Sequence, residues 1–161
     1  MTIMENISTP VTKNCDVLVC GGGFGGISAA LAAAREGADV ILIEKGNCLG
    51  GAATNCLVNP FMKYSTKING KNIELSAGVF KTIVDKLRER NAMRYSEFLE
   101  EELKFILNDM VMEAKIDILF HAYIFKTVKG NDRIASVILA TKSGELSVEA
   151  DYFIDATGDA Q

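Results

Sequence analysis

The stretch VLVCGGGFGGISAALAAA, residues 17–34, places a cluster of glycines between an apolar β-like run and an alanine-rich helix-like run. Glycine loses more backbone entropy on folding than any other residue, so such a cluster predicts a tight turn or a close approach of the backbone to another group. The spacing Gly21-x-Gly23-x-x-Gly26, between a predicted strand and a predicted helix, is typical of a loop that binds the pyrophosphate of a dinucleotide.

Each glycine of this spacing has a physical role in that interpretation. Gly21 allows the turn, Gly23 leaves the backbone open to the pyrophosphate, and Gly26 lets the helix pack against the strand. Phe24 and Gly25 complete the loop at the start of the helix, where free N–H groups and a partial positive charge face the phosphates. A merely structural glycine turn is the alternative, and the flanking strand, helix and acidic residue together disfavour it.

The residues around the loop predict a βαβ unit. Residues 15–20 (CDVLVC) and 39–44 (DVILIE) are apolar runs typical of buried parallel strands, and residues 27–36 are strong helix formers followed by Gly37. Glu44 ends the second strand, where its carboxylate can accept hydrogen bonds from both hydroxyls of a ribose and would repel a 2′-phosphate. This arrangement disfavours NADP.

The remainder of the chain continues the alternation of helix and strand. Residues 46–78 are predicted to form a long loop with little regular structure, and residues 77–90 a helix. Ser96 is expected to cap a further helix. The buried stripe of that helix is predicted to comprise Phe98, Leu99, Leu103, Ile106, Leu107 and Met110.

The predicted fold class is α/β. Residues 15–20, 39–44, 117–121 and 152–155 are expected to form one parallel sheet. Residues 122–150 have the alternation and turns of a three-stranded antiparallel meander, expected as a separate layer on one face of that sheet.

Composition narrows the classes of protein. The chain has 161 residues, of which 48% are hydrophobic and 24% charged. Its net charge of −4 gives no indication of the basic surface that binds nucleic acids. No apolar run approaches the roughly 20 residues of a membrane span, and the polar start lacks the pattern of a signal peptide. We therefore expect a cytoplasmic protein with a flexible tail at residues 1–14 and one domain at residues 15–161.

The cysteines and the single histidine predict no metal site. Cys15, Cys20, Cys48 and Cys56 include no CxxC pair, so reduced thiols are expected, with a Cys48–Cys56 redox pair as the less favoured alternative. His121 is interpreted as structural rather than as a catalytic base, because no partner acid is evident. No catalytic residue is identified.

Three motifs together resemble a known superfamily. The glycine loop with Glu44 is followed by Gly50-Gly51 within LGGAATNCLVNPFMKY (residues 49–64) and, near the end, by YFIDATGDA (residues 152–160). In this order they resemble the glutathione-reductase-like FAD-binding flavoproteins, and most closely the FAD-dependent oxidoreductase family related to fumarate reductase and succinate dehydrogenase flavoproteins. The resemblance extends from Asp16 onward and implies a Rossmann-like FAD/NAD(P)-binding domain.

The resemblance also implies further cofactor-binding residues. Lys45 would lie beside the adenosine, and the backbone of Ile124 would contact the adenine. The segment after the second glycine pair would follow the pyrophosphate, ribityl chain and flavin, and the last motif would close over the cofactor. The residues concerned are Gly50, Gly51, Ala52, Thr54, Ala156, Thr157 and Gly158.

Departures from the family pattern refine the prediction. Residues 46–59 contain no histidine that could bond covalently to a flavin, so FAD is expected to bind noncovalently. The cysteine pair of the disulfide reductases is also missing, since only Cys56 follows Gly51.

The predicted function is that of the FAD-binding domain of a flavin-dependent oxidoreductase. We expect the N-terminal portion of a longer flavoprotein, inactive alone, with catalytic residues beyond Gln161 and a substrate and electron partner that the residues do not identify. A noncatalytic flavin- or dinucleotide-binding module, or a subunit completed by another chain, is the alternative, and an oligomer is possible. An NAD-binding domain is disfavoured by Gly50-Gly51.

Overall fold

The computed structural model describes residues 11–159, and the side chains from residue 13 onward. Residues 1–10 of the predicted tail lie outside that range, and residues 11–14 extend the first strand. The elements in chain order are β1 (Val11–Cys20), α1 (Phe24–Arg35), β2 (Val40–Glu44), α2 (Ala52–Asn55), β3 (Ser65–Ile68), β4 (Lys71–Glu74), α3 (Val79–Glu89), β5 (Met93–Arg94), β6 (Glu97–Phe98), α4 (Glu100–Glu113), β7 (Asp117–Phe120), β8 (Tyr123–Lys129), β9 (Ile134–Thr141) and β10 (Gly144–Asp155).

One six-stranded sheet, in the order β7-β2-β1-β10-β9-β8, organises the domain. Strands β7, β2, β1 and β10 run parallel, with Cys20 of β1 opposite Ile43 on one side and Asp155 on the other. The predicted α/β class and the predicted parallel pairing are therefore confirmed. The carboxyl ends of the four strands meet at one edge of the sheet, where α/β proteins bind ligands.

The meander is not the separate layer that the sequence predicted. Strand β10 is continuous, so residues 144–149 pair antiparallel with β9 while residues 147–155 pair parallel with β1. The sequence predicted that the chain leaves one strand and starts another between residues 150 and 152. This does not occur, because the link from Glu149 to Tyr152 contains neither glycine nor proline to end the strand. The meander still covers one face of the parallel strands, but as an extension of the same sheet.

Alternate side chains of β1 enter two different cores. Val17 and Val19 pack with the helices α1, α3 and α4. Leu18 packs on the opposite face with residues of the meander, including Val137 and Leu139. A strand buried on both faces reads as a continuous apolar run, which is the pattern that residues 15–20 show.

The helices differ from the prediction mainly at their ends. Helix α1 begins at Phe24, three residues before the predicted start, and Gly37 adopts the predicted left-handed conformation with φ of +90°.

The long segment 46–78 contains α2 and the β3–β4 hairpin, which its polar composition concealed. No helix among residues 11–159 combines the length and apolar character that crossing a membrane requires.

Ser96 does not cap α4, contrary to the prediction. The helix begins at Glu100, because the residues before it form β6, whose Phe98 pairs with Met93 of β5. Leu99 occupies the N-cap position and is 57% exposed, so it does not belong to the buried stripe. The other members of the predicted stripe are buried: Phe98, Leu103, Ile106, Leu107 and Met110.

Candidate cofactor site

A cavity of about 430 Å³ opens at the carboxyl edge of the parallel strands. Four chain segments surround it: the glycine loop after β1, the end of β2 with the segment that follows through α2, the β7–β8 corner, and the turn after β10. Its lining consists of Gly21, Gly23, Ile43, Glu44, Lys45, Gly51, Ala52, Asn55, Cys56, Ala122, Tyr123, Ile124, Ala156, Thr157, Gly158 and Asp159.

Ten of the predicted site residues line this cavity. They are Gly21, Gly23, Glu44, Lys45, Gly51, Ala52, Ile124, Ala156, Thr157 and Gly158. The sequence did not single out Ile43, Asn55, Cys56, Ala122, Tyr123 or Asp159 as site residues. Asn55, Cys56 and Asp159 fall within the quoted motifs, whereas the signal of the other three is only their position within two residues of a predicted one.

Five predicted residues lie outside the lining: Phe24, Gly25, Gly26, Gly50 and Thr54. The ring of Phe24 packs edge-on against Phe61, with ring centroids 5.6 Å apart. The Thr54 hydroxyl donates a hydrogen bond of 2.7 Å to the Leu49 carbonyl and so holds the loop that carries Gly50 and Gly51. Gly25 borders a different surface depression beside Ile154.

The first glycine loop is shaped by contacts that side chains would prevent. Gly21 has φ of +110°, and a Cβ there would lie 2.4 Å from the Ala156 carbonyl oxygen. A Cβ on Gly26 would lie 1.8 Å from the Gly21 carbonyl oxygen, so helix and strand meet backbone to backbone. A Cβ on Gly23 would find no atom of the described chain within 4 Å. Gly23 therefore faces open space, as a residue approached by a ligand would.

The N-terminus of α1 is chemically suited to an anion. Gly23 is its N-cap, no side chain caps the helix, and its first turn contains no acidic residue. The unpaired N–H groups and the positive end of the helix dipole favour negative charge at such a terminus.

Glu44 is the one carboxylate buried at the cavity wall within the described chain, with 8% of its surface exposed. Its Oε2 accepts a hydrogen bond of 2.7 Å from the Gly22 N–H, and its Oε1 accepts one of 2.6 Å from the Gly46 N–H. A carboxylate has about four lone-pair sites, so two remain for donors in the cavity. Glu44 thus shapes the glycine loop and also offers acceptors to a ligand.

The second glycine pair docks directly on the first loop. The Gly50 N–H donates a hydrogen bond of 2.8 Å to the Gly22 carbonyl. Gly51 approaches so closely that a Cβ there would lie 3.0 Å from the Gly23 Cα. Both residues of the pair have positive φ, +108° and +57°. The two motifs therefore form one continuous backbone surface.

The β7–β8 corner closes the cavity on another side. The N–H of His121 donates to the Gly46 carbonyl, and the N–H of Ala122 donates to the Glu44 carbonyl, both at 3.1 Å. These bonds place Ala122 and Ile124 in the wall. The exposed His121 has φ of +54° and does not line the cavity.

The turn after β10 forms the remaining wall. The Ala156 N–H donates to the Cys20 carbonyl at 2.8 Å. The N–H and the hydroxyl of Thr157 donate to Asp155 Oδ1 at 2.9 and 2.7 Å. These two bonds, first the backbone one, lower the pKa of Asp155 below its ordinary value.

All four cysteines are free thiols in the described chain. Burial raises the pKa of Cys15 to about 11 and that of Cys20 to about 12. The buried Cys48 donates to Asn55 Oδ1 at 3.0 Å, whereas Cys56 is exposed in the cavity. Residues 11–159 contain no group of three or more His, Cys, Asp or Glu side chains arranged to hold a metal ion.

Comparison with known proteins gives a family match over most of the chain. The model of a family described as FAD dependent oxidoreductase matches residues 16–161. Glutathione reductase of Schizosaccharomyces pombe is 50% identical over 46 residues, which cover 29% of this chain and 10% of that protein.

Solved structures show the same fold. The 3-ketosteroid-Δ4-(5α)-dehydrogenase of Rhodococcus jostii RHA1 superposes with a TM-score of 0.65 at 15% identity, over 91% of this chain and 46% of that one. A flavocytochrome c3 fumarate reductase in its open conformation gives 0.64 at 18% identity, over 90% and 34%. The chain thus spans less than half the length of each of these relatives.

Proposed function

This chain belongs to the FAD dependent oxidoreductase family, and we propose that its glycine-lined cavity binds FAD noncovalently in an enzyme that oxidises or reduces a substrate through the flavin. The observation that carries the proposal is the convergence of the two docked glycine loops and the Thr157 turn on one cavity beside the buried carboxylate of Glu44. The cavity volume of about 430 Å³ falls within the range of small-ligand sites.

Each group of cavity residues would bind a different part of the proposed FAD. Gly23, Gly51 and the N-terminus of α1 would receive the pyrophosphate, because they offer backbone without side chains and a positive helix end. Glu44 would accept the ribose hydroxyls with its two remaining lone-pair sites. Lys45 and Ile124 would lie beside the adenosine. A buried carboxylate in this position would repel a 2′-phosphate.

FAD, when bound, supplies the electron transfer, and the chain binds and orients it. Noncovalent attachment is supported by the absence of histidine from residues 46–59. We further propose a cytoplasmic location, which the four free thiols support because reducing compartments keep cysteines unpaired.

The proposal is tested by Gly23→Ala beside a matched control, Gly130→Ala. The first substitution puts a methyl group into the space assigned to the pyrophosphate, whereas a Cβ on Gly130 meets its nearest neighbour, the Ala135 Cβ, at an ordinary 3.6 Å. FAD affinity is measured on the apoprotein by quenching of flavin fluorescence and by calorimetry. We expect Gly23→Ala to raise the Kd at least about tenfold, or about 1.4 kcal/mol, and Gly130→Ala to leave it unchanged.

Two outcomes would contradict the proposal. One is an unaltered protein that fails to bind FAD, and the other is a Gly23→Ala protein that retains the original affinity. NAD and NADP titrated in parallel test cofactor choice, and tighter binding of either than of FAD would reject the assignment.

A further inference from the structure

The strand β10 is fixed in place as far as Ala156. Asp155, its last residue, lies opposite Cys20 in the parallel register with β1, and the Ala156 N–H continues that pairing to the Cys20 carbonyl. The Ala156 carbonyl occupies the space that a Cβ on Gly21 would need. The sheet therefore determines the position of the chain up to this point.

Beyond Ala156 the chain leaves the sheet and enters the cavity wall. Thr157 and Gly158 both line the cavity, and Gly158 has φ of +90°, which turns the chain. Both polar hydrogens of Thr157, on the main chain and on the hydroxyl, are donated to a single oxygen, Asp155 Oδ1. This carboxylate joins the ordered strand to the turn.

We propose that Asp155 is a positioning residue for FAD, which holds Thr157 and Gly158 in the cavity wall before the cofactor binds. The inference rests on the proposed function of the cavity. Without the carboxylate, the turn would have to become ordered during binding, and that ordering lowers affinity. The lowered pKa of Asp155 agrees with this role, because an ionised acceptor makes stronger hydrogen bonds than a neutral one.

If Asp155 had a purely structural role, its removal would lower the stability of the apoprotein, whereas the positioning role predicts little change in stability. Its side chain is exposed, so removal of the carboxylate opens no cavity in the core. The pairing of β10 with β1 uses main-chain groups only, and these remain when the side chain is shortened. The unfolding transition should therefore hardly move while the FAD affinity falls.

The experiment compares the full chain with Asp155→Ala, Asp155→Asn and the control Asp151→Ala. Asp151 is an exposed aspartate on the same strand, four residues earlier. FAD Kd and the urea midpoint of the apoprotein are measured for each. We expect Asp155→Ala to raise the Kd about five- to tenfold, as the loss of two exposed hydrogen bonds allows. Asp155→Asn keeps the accepting oxygen and should stay within about threefold of the unaltered chain.

A double-mutant cycle isolates the pair itself. Thr157→Val removes the hydroxyl and should raise the Kd on its own, but the variant with both substitutions should bind about as weakly as Asp155→Ala alone. Two results would overturn the inference without affecting the assignment of the FAD site. One is that the two substitutions multiply their separate effects on the Kd for FAD. The other is that Asp155→Ala binds FAD as tightly as the Asp151→Ala control. An unaltered chain that does not bind FAD would overturn both.

Discussion

Removal of the Glu44 carboxylate should destabilise the protein even when no cofactor is present. Glu44 is buried, with 8% of the residue surface exposed, and each oxygen of its carboxylate accepts one backbone N–H. Glu44→Gln keeps the shape of the side chain but replaces one oxygen by an NH₂ group, which faces a donor instead of accepting from it. Glu44→Ala removes both acceptors.

The size of the effect follows from the two bonds. A hydrogen bond to a charged group contributes about 1.5–3 kcal/mol, so the two together contribute about 3–6 kcal/mol. The bond from the Gly22 N–H is buried, while that from the Gly46 N–H is only partly so, and water can replace the second in part. We therefore expect a loss of about 3 kcal/mol for Glu44→Ala and about 2 kcal/mol for Glu44→Gln.

Urea unfolding of the apoprotein, followed by far-UV circular dichroism, measures these losses. Glu36→Gln, at an exposed glutamate after α1, is the matched control and should unfold with the unaltered protein. If Glu44→Gln also unfolds within about 0.5 kcal/mol of the unaltered chain, the carboxylate does not hold the glycine loop and the reasoning is refuted. If the substitutions lower the free energy of unfolding only in the presence of FAD, Glu44 acts in ligand binding alone and does not stabilise the apoprotein.

Three further tests, one by substitution and two by labelling, follow from the same structure. Gly26→Ala would force a Cβ to within 1.8 Å of the Gly21 carbonyl oxygen, so we expect a fall of about 3 kcal/mol in the free energy of unfolding, measured in urea; an unchanged midpoint would contradict the close contact of α1 with β1. Cys56, exposed in the cavity, should react with iodoacetamide and be protected by FAD, and equal rates with and without FAD would place the cofactor elsewhere. Cys15 and Cys20 have raised pKa values of about 11 and 12, so at pH 8 their reactive thiolate forms are scarce, and mass spectrometry should show slow labelling that accelerates as the pH rises toward those values.

Those elements of the candidate cofactor site that depend on neighbouring residues could be predicted from the sequence. Windows of fewer than about 20 residues predict each strand and the helix of the βαβ unit, the turn at Gly21 and the acid at the end of β2, since helix and strand periodicities are local properties. The family match over residues 16–161 confirms the resemblance that these motifs indicated. The ends of α4 were less predictable, because Ser96 is a good capping residue whose place is decided by the pairing of β5 with β6.

Contacts between distant residues were decided by the tertiary structure alone. The sequence predicted Glu44 as a ribose acceptor but not as the acceptor for Gly22 and Gly46, because that depends on how the end of β2 lies beside the glycine loop. The docking of Gly50 on Gly22 depends on the same arrangement. Strand β10 shows the limit most clearly: the sequence predicted an antiparallel strand in the meander and a parallel strand at residues 152–155, but not that the two are one continuous strand. The antiparallel half pairs with β9 across a short turn, which is a local contact. The parallel half pairs with a segment more than 100 residues away, as Cys20 and Asp155 show, and that register exists only in the folded chain.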